Sequence, residues 1–292
     1  MTPRAATLPR HPAFARVKHL IAEITGMVFY ADKEETLAAV LHRRLADLGL
    51  GDLDAYAARL GDPEERELLI SEVVIGETYF LRDLAQWRAL ETVVLPALIR
   101  GNAGIRRLRC WSAGCATGAE PYTLTILLRE KFAESLADWD VTILGTDLDR
   151  RALEAARAGV YGAWAFRAAP ETFQEQWFAE RGGRWELDPA LRGSVEFRCH
   201  NLVSDAIPPD GTAFDLILCR NVMIYFDAPT IAALAKAFHG ALAEEGWLVV
   251  GHAEPSARVF ADFETVMLPD TTLYRRGRPG STPKPARPRP AP

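Results

Sequence analysis

The sequence predicts an α/β fold in which a mostly parallel sheet carries helices on its faces, with an all-helical domain ahead of it and a small antiparallel insertion within it. Three observations predict this. From residue 107 onward, apolar runs of strand length alternate with helical patterns, as strand–helix–strand crossovers require. Residues 11 to 76, by contrast, show helical periodicity throughout. One segment, RWELDPALRGSVEFR at 184–198, breaks the alternation and reads as a short antiparallel hairpin turning near Asp188-Pro189 or Arg192-Gly193.

The elements follow in order. Phe14, Val17, Leu20, Ile21 and Ile24 recur at helical spacing, as do Leu37, Val40, Leu41, Leu45 and Leu48, with Gly49 as a stop. A third helix is expected from about Leu53 to Leu60. A fourth opens at Asp62-Pro63, a capping carboxylate followed by proline at the first helical position, and closes at Gly76. GETYFLRD leads into an apolar helix from about Asp83 to Ile99. Strands are expected at 107–112, 141–145, 214–219 and 247–251, and helices at 119–133, 149–158, about 171–180 and 228–244. FETVML and TTLYR form a closing antiparallel pair around Pro269-Asp270. The domains expected are a disordered N-terminus at 1–10, a helical domain at 11–82, an α/β domain at 83–276 with its β-subdomain inserted at about 161–199, and a disordered Pro/Arg-rich tail at 277–292.

With 292 residues, 49% of them hydrophobic, the chain can bury a substantial core. It contains no run of roughly 20 apolar residues and no apolar signal-peptide core near MTPRAATLPRHP, so a cytoplasmic location is expected. Four cysteines (Cys110, Cys115, Cys199, Cys219) form no CxxC pair and stand at no ligand spacing from the histidines; neither a disulfide framework nor a metal site is expected. The formal charge is −5, yet the 17 residues after Arg275 carry five basic groups and no acidic one, leaving the body at −10. That balance argues against nucleic acid as a partner.

The stretch WSAGCATGAEPYTL, residues 111–124, sets Gly114 and Gly118 between an apolar run and a helical pattern. In an open α/β sheet ligands sit beyond the carboxyl ends of the strands, where a glycine loop admits them and an acidic strand end takes ribose hydroxyls. Asp147, in ILGTDLD, stands at such an end, while Asp149 is placed to cap the helix that follows. Neither GxGxxG nor GxxxxGK[ST] occurs, and no lysine is present to meet phosphates. The pattern favours a nucleoside without phosphate, S-adenosylmethionine being the common one. Two glycines and an aspartate also arise in ordinary turns, so spacing alone leaves that alternative open.

WSAGCATGAEPYTL, ILGTDLDRRALEAARAGVY and FDLILCRNVMIYFD, with ETYFLRD before them and GHAEP after, resemble the chemotaxis receptor methyltransferases of the CheR type, in order from about residue 12 to 275. The resemblance implies a Rossmann-like S-adenosylmethionine-dependent methyltransferase domain with an inserted antiparallel β-subdomain, preceded by an N-terminal helical domain. It implies an enzyme that methylates glutamate side chains of membrane chemoreceptors. By the same resemblance, Thr78, Arg82, Glu120, Asp147, Asn201, Leu202, Arg220 and Asn221 bind the cofactor, Glu120 at its amino-acid end, Asp147 at the ribose, and Asn201 and Leu202 at the adenine. Arg82 and Tyr225 stand closest to methyl transfer.

The chemistry needs few groups. A glutamate carboxylate is already a nucleophile at neutral pH, so no general base has to be found. What remains is in-line alignment, which an arginine with two coplanar donors can impose on a carboxylate. Each residue also has a plainer reading: Arg82 paired with Asp83 or Glu77, Tyr225 packed in the core, Glu254 of GHAEP a structural carboxylate, Cys115 and Cys219 small buried residues.

Four departures from the family stand out. Gly76 replaces an asparagine frequent there, and Ala119 replaces a glutamate. The early helix LAAVLHRRLADLGL offers only Arg43 and Arg44 as contacts for the receptor's cytoplasmic domain, with Lys33 a few turns earlier. The segment AERGGRWELD is short where some members dock a receptor pentapeptide, so such tethering is not expected. Direct membrane insertion is not expected either. Two other readings remain: a regulatory module that binds the cofactor or its product without catalysis, and a methyltransferase for a different acceptor. For amino acceptors the strand end often reads Asn/Asp-Pro-Pro-aromatic, unlike RNVMIYF.

Overall fold

The computed structural model describes residues 5–28, 30, 33–254 and 256–277. The helical unit comprises α1 (Pro12–Thr25), α2 (Glu34–Asp47), α3 (Leu53–Arg59) and α4 (Pro63–Val73). Side-chain caps start several of them: Asp52 accepts from the Ala55 amide (2.8 Å) and Asp62 from that of Glu64 (3.1 Å). Gly26, in the left-handed region at φ 71°, ends α1. The apolar stripes meet in one core of Phe14, Val17, Ile21, Leu37, Leu41, Leu45, Tyr56 and Leu69. The N-terminal segment expected to be disordered is ordered from residue 5: Ala5–Arg10 forms a 3-10 turn whose Leu8, 1% exposed, joins this core. The turn packs against α1 and α2, and the buried leucine offsets part of the entropy of ordering it.

The α/β unit begins with α5 (Leu84–Ala89), which runs through a π turn at Leu90–Val94 into α6 (Leu95–Gly101). Pro96 lacks the N–H that would continue the ladder there. Then come β1 (Arg107–Ala113), α7 (Ala119–Lys131), β2 (Asp140–Asp147), α8 (Arg150–Ala158), β3 (Val160–Tyr161), α9 (Glu171–Trp177), β4 (Phe178–Arg181), β5 (Arg184–Leu187), α10 (Pro189–Arg192), β6 (Val195–Cys199), β7 (Phe214–Cys219), α11 (Ala228–Ala241), β8 (Leu242–Val250), β9 (Glu264–Leu268) and β10 (Thr271–Arg275). The main sheet has the order β6-β2-β1-β7-β8-β10-β9, parallel from β6 to β8 and antiparallel beyond. One apolar cluster, with Leu108, Leu124 and Leu153, covers one face; a second, with Trp111, Ile217 and Phe238, covers the other.

The hairpin expected at 184–198 is not formed. Its second half, β6, lies in the main sheet parallel to β2, with Ile143 opposite Val195 and Asp147 opposite Cys199. The hairpin is instead β4–β5, turning at Gly182 and Gly183, both at positive φ, and it joins β3 in a separate three-stranded antiparallel sheet. Asp188-Pro189 opens α10, with Asp188 capping the Ala190 amide at 2.8 Å. Among the described residues no helix is long and apolar enough to cross a membrane, and residues 278–292 of the expected tail lie outside them.

Candidate active site

The parallel strands end together: Ala113 pairs with Thr146, and Cys219 with Val250. Beyond those ends lies a cleft of about 890 Å³, its open mouth included, closed on the other side by Thr25, Met27 and Val74 of the helical unit. Thr78, Arg82, Glu120, Asp147, Asn201, Leu202, Arg220, Asn221 and Tyr225 all line it.

The two acidic strand-end residues separate as the sequence suggests. Asp149 caps α8, its Oδ1 accepting from the Arg151 amide (2.9 Å) and from the Ser71 hydroxyl of α4 (2.5 Å). Asp147 is held by the amides of Ala116 (2.8 Å) and Asp149 (2.9 Å) and is 8% exposed. Burial pushes its carboxyl pKa up, and those amides pull it partway back. Gly114 is required for a reason other than ligand approach: at φ 77°, a Cβ there would stand 2.5 Å from Val222 Cγ2 in the loop after β7. Gly118, at φ 84°, makes similar room for Ala156 beside α7.

Arg220 organises the middle of the cleft. Its guanidinium donates to Gln86 Oε1 (2.5 Å), to Glu120 Oε2 (3.1 Å) and to the Arg82 carbonyl. Glu120 also accepts the Ser112 hydroxyl at 2.7 Å; burial raises its pKa against the opposing pull of Arg220. Arg82 donates to the Glu77 carbonyl (2.9 Å) and lies 5.4 Å from the Tyr79 ring. Among the described residues it forms no ion pair with Asp83 or the Glu77 carboxylate, so the plainer pairing is not realised. Tyr225 ends a 3-10 turn, Met223–Tyr225. Burial raises its phenol pKa, Arg82 nearby lowers it, and the net direction is upward, so it is a neutral donor.

Other side chains hold the loops around the cleft. The Asn201 amide bonds the Ile24 carbonyl at the end of α1 (2.8 Å) and the Val203 N–H (3.0 Å), fastening the helical unit to the strand-end loop. Glu254 accepts three backbone N–H groups, from Asn221 (2.9 Å), Ile224 (3.2 Å) and Gly251 (2.5 Å), and so fixes the loop that carries Tyr225. Gln86 and Ser112 escaped the sequence reading; an isolated glutamine on the apolar stripe of α5, 1% exposed, was the available signal. Gly76 borders the cleft with only Ala116 Cβ, at 3.9 Å, near a would-be side chain. Burial pushes the thiols of Cys115 and Cys219 well up, as befits inert packing residues.

The proposed pairing of Arg43 and Arg44 with a receptor needs correction at Arg44. It is 6% exposed, with Glu65 bonded to its Nη2 (2.5 Å) and Nε (2.9 Å), Tyr56 completing the cluster through Glu65. Arg43 is exposed and pairs with Glu72 at 2.9 Å.

The donor set fits a nucleoside with a zwitterionic appendage and no phosphate: a buried carboxylate at the end of β2 and a Glu120–Arg220 pair at the start of α7, with no group of metal ligands among the described residues. Fold and cleft together define the S-adenosylmethionine-dependent methyltransferase class. Residues 76–270 match the family described as "CheR methyltransferase, SAM binding domain" and residues 12–74 its "all-alpha domain". The chain belongs to the CheR methyltransferase family, and S-adenosylmethionine is its cofactor.

It is 32% identical to chemotaxis protein methyltransferase 1 of Pseudomonas aeruginosa over 268 residues, 90% of this chain and 97% of that protein. It is 28% identical to chemotaxis protein methyltransferase 2 of Vibrio cholerae, covering 92% and 94% of the two chains. A probable biofilm formation methyltransferase of P. aeruginosa, WspC, is 30% identical across 94% of this chain, which spans 64% of that longer protein.

Proposed function

We propose that this protein esterifies glutamate side chains on the cytoplasmic domains of chemoreceptors during sensory adaptation. The observation that carries the proposal is the cleft itself: Arg82 and Tyr225 share it with Asp147 and the Glu120–Arg220 pair, so a carboxylate-orienting group faces a nucleoside-binding set. S-adenosylmethionine supplies the methyl group on a positively charged sulfur. Asp147 accepts the ribose hydroxyls, Glu120 pairs with the ammonium, and Thr78, Leu202 and Asn221 complete the walls. Asn201 borders the adenine end while its amide secures α1.

Arg82 aligns the acceptor carboxylate with two coplanar donors, and the neutral Tyr225 hydroxyl adds a hydrogen bond at the reacting centre. The carboxylate attacks as it stands, so no residue has to move a proton. Relatives named for chemotaxis support the assignment of acceptor.

Purified protein with methyl-labelled S-adenosylmethionine and membranes from its own cells should yield base-released volatile methanol. Arg82→Ala should lower that yield at least about tenfold, the loss of one charge-assisted contact. Cofactor binding without base-labile label on any membrane protein would refute glutamate methylation and favour a regulatory role or a different acceptor.

A further inference from the structure

Arg82 stands in a turn whose backbone is bent against its own preference. Leu81 before it and Asp83 after it both lie in the left-handed region, at φ 58° and 62°. A leucine is rarely found there, because its Cβ crowds a carbonyl oxygen, and such a conformation persists only where the surroundings impose it. Those surroundings can be named. The Leu81 amide donates to the Thr123 hydroxyl of α7 (3.4 Å). The Arg82 carbonyl accepts from Nη2 of Arg220 and from the indole Nε1 of Trp87 (2.9 Å). Trp87 lies in α5, 5% exposed, and its ring covers the Arg220 guanidinium at 5.3 Å. Gln86 beside it accepts Arg220 Nε (2.5 Å) and donates to the Val250 carbonyl at the end of β8 (2.6 Å), which ties that guanidinium to the sheet.

We infer that Trp87 is a positioning residue for methyl transfer: its indole N–H, together with Arg220, holds the peptide plane between Arg82 and Asp83 and so fixes where the Arg82 side chain points. The inference rests on the reading of Arg82 as the group that orients the acceptor carboxylate. Turning that plane over would carry Asp83 toward negative φ and relieve it, at the loss of both hydrogen bonds to the carbonyl. A carbonyl oxygen has two lone pairs, and here each meets a donor. Without the indole N–H, Arg220 alone opposes the turn. The rotamers open to Arg82 depend on its ψ, which the same plane sets, so a loosened plane lets the guanidinium wander from the acceptor. Arg220 Nη1 also pairs with Glu120 (3.1 Å), so the cofactor side and the acceptor side of the cleft are referenced to one guanidinium. In-line transfer is sensitive to displacements of about 1 Å, which is what such a shared reference limits.

A double-mutant cycle tests this. Label transfer to receptor-bearing membranes is measured over a range of receptor concentration for wild type, Trp87→Phe, Arg82→Ala and the two combined, and affinity for S-adenosylmethionine is titrated separately. Trp87→Phe keeps an aromatic face on Arg220 and removes the donor. It should lower kcat about threefold to tenfold, the loss of one hydrogen bond, with cofactor affinity within about twofold of wild type. In the Arg82→Ala background the same change should cost nothing further, because Trp87 acts through that side chain. Equal losses in both backgrounds, an unchanged kcat, or a parallel loss of cofactor affinity each overturn the inference and leave Trp87 as packing for Arg220 and the core. Should Trp87→Phe fail to fold, β-(3-benzothienyl)alanine at that position alone, with sulfur in place of the N–H and the ring size kept, gives the same comparison. Label that resists mild base overturns the glutamate reading, while the cycle is still read from total label. No transfer by wild type overturns both.

Discussion

Asp147 meets two opposing demands. In the role proposed for it, it must be ionised to accept two ribose hydroxyls, yet its burial favours the protonated form and raises its pKa. The sign of the pH dependence follows. A raised pKa means that acidification protonates Asp147 at a higher pH than an ordinary aspartate, so affinity for S-adenosylmethionine should begin to fall above the usual carboxylate range, and Glu120, raised in the same direction, adds to the fall. Stability of the ligand-free protein runs the other way: across the window between the unfolded and folded pKa values the native state binds more protons, so stability declines as pH rises. Calorimetric titration of the cofactor against pH checks this, with Asp147→Asn weakening affinity at neutral pH about tenfold to a hundredfold, the range for a hydrogen bond to a charged group, and flattening part of the profile. Much of this residue scale was legible: the assignment of Asp149 to the cap and Asp147 to the cleft follows from strand and helix boundaries. Arg44 was not, although it falls on the stripe of Leu37, Leu41, Leu45 and Leu48; an arginine there is buried only because Glu65, 21 residues on, arrives to neutralise it.

At the scale of elements, that arginine gives a sharp contrast. Arg44→Ala leaves the Glu65 carboxylate buried without its partner, which costs about 3–5 kcal/mol. Arg43→Ala removes an exposed pair whose contribution is about 0–1 kcal/mol. Denaturant unfolding of the two variants should therefore diverge, and similar small losses would remove the structural role assigned to Arg44. The alternation of strands and helices was readable because each element carries its own periodicity. The partner of β6 was not: an alternating run such as VEFR states that it is a strand, while its neighbour β2 lies some 50 residues earlier in the chain. Asp188-Pro189 misled because the same dipeptide opens a turn or starts a helix, and only the Ala190 amide at Asp188 decides between them.

For the whole molecule, the cleft belongs to neither unit alone. The helical unit supplies Thr25, Met27 and Val74 to its wall. Hydrogen bonds among the described residues fasten the units around it, including Asn201 to Ile24, Ser71 to Asp149, and the Val28 amide to the Tyr225 carbonyl. Sequence motifs could mark the strand ends but not this clasp, because half of its donors and acceptors are backbone groups that any residue would provide and the rest meet partners distant in the chain.

The Val28–Tyr225 bond has a consequence for how the cleft breathes. Any separation of the two units wide enough to admit a cofactor through that side must expose the Val28 N–H to solvent, so its exchange with deuterium reports opening in the free protein. Exchange at Val28 should slow when S-adenosylmethionine binds, by a factor that tracks cofactor concentration over Kd. Fast exchange that ignores the cofactor would mean the clasp and the cleft open independently.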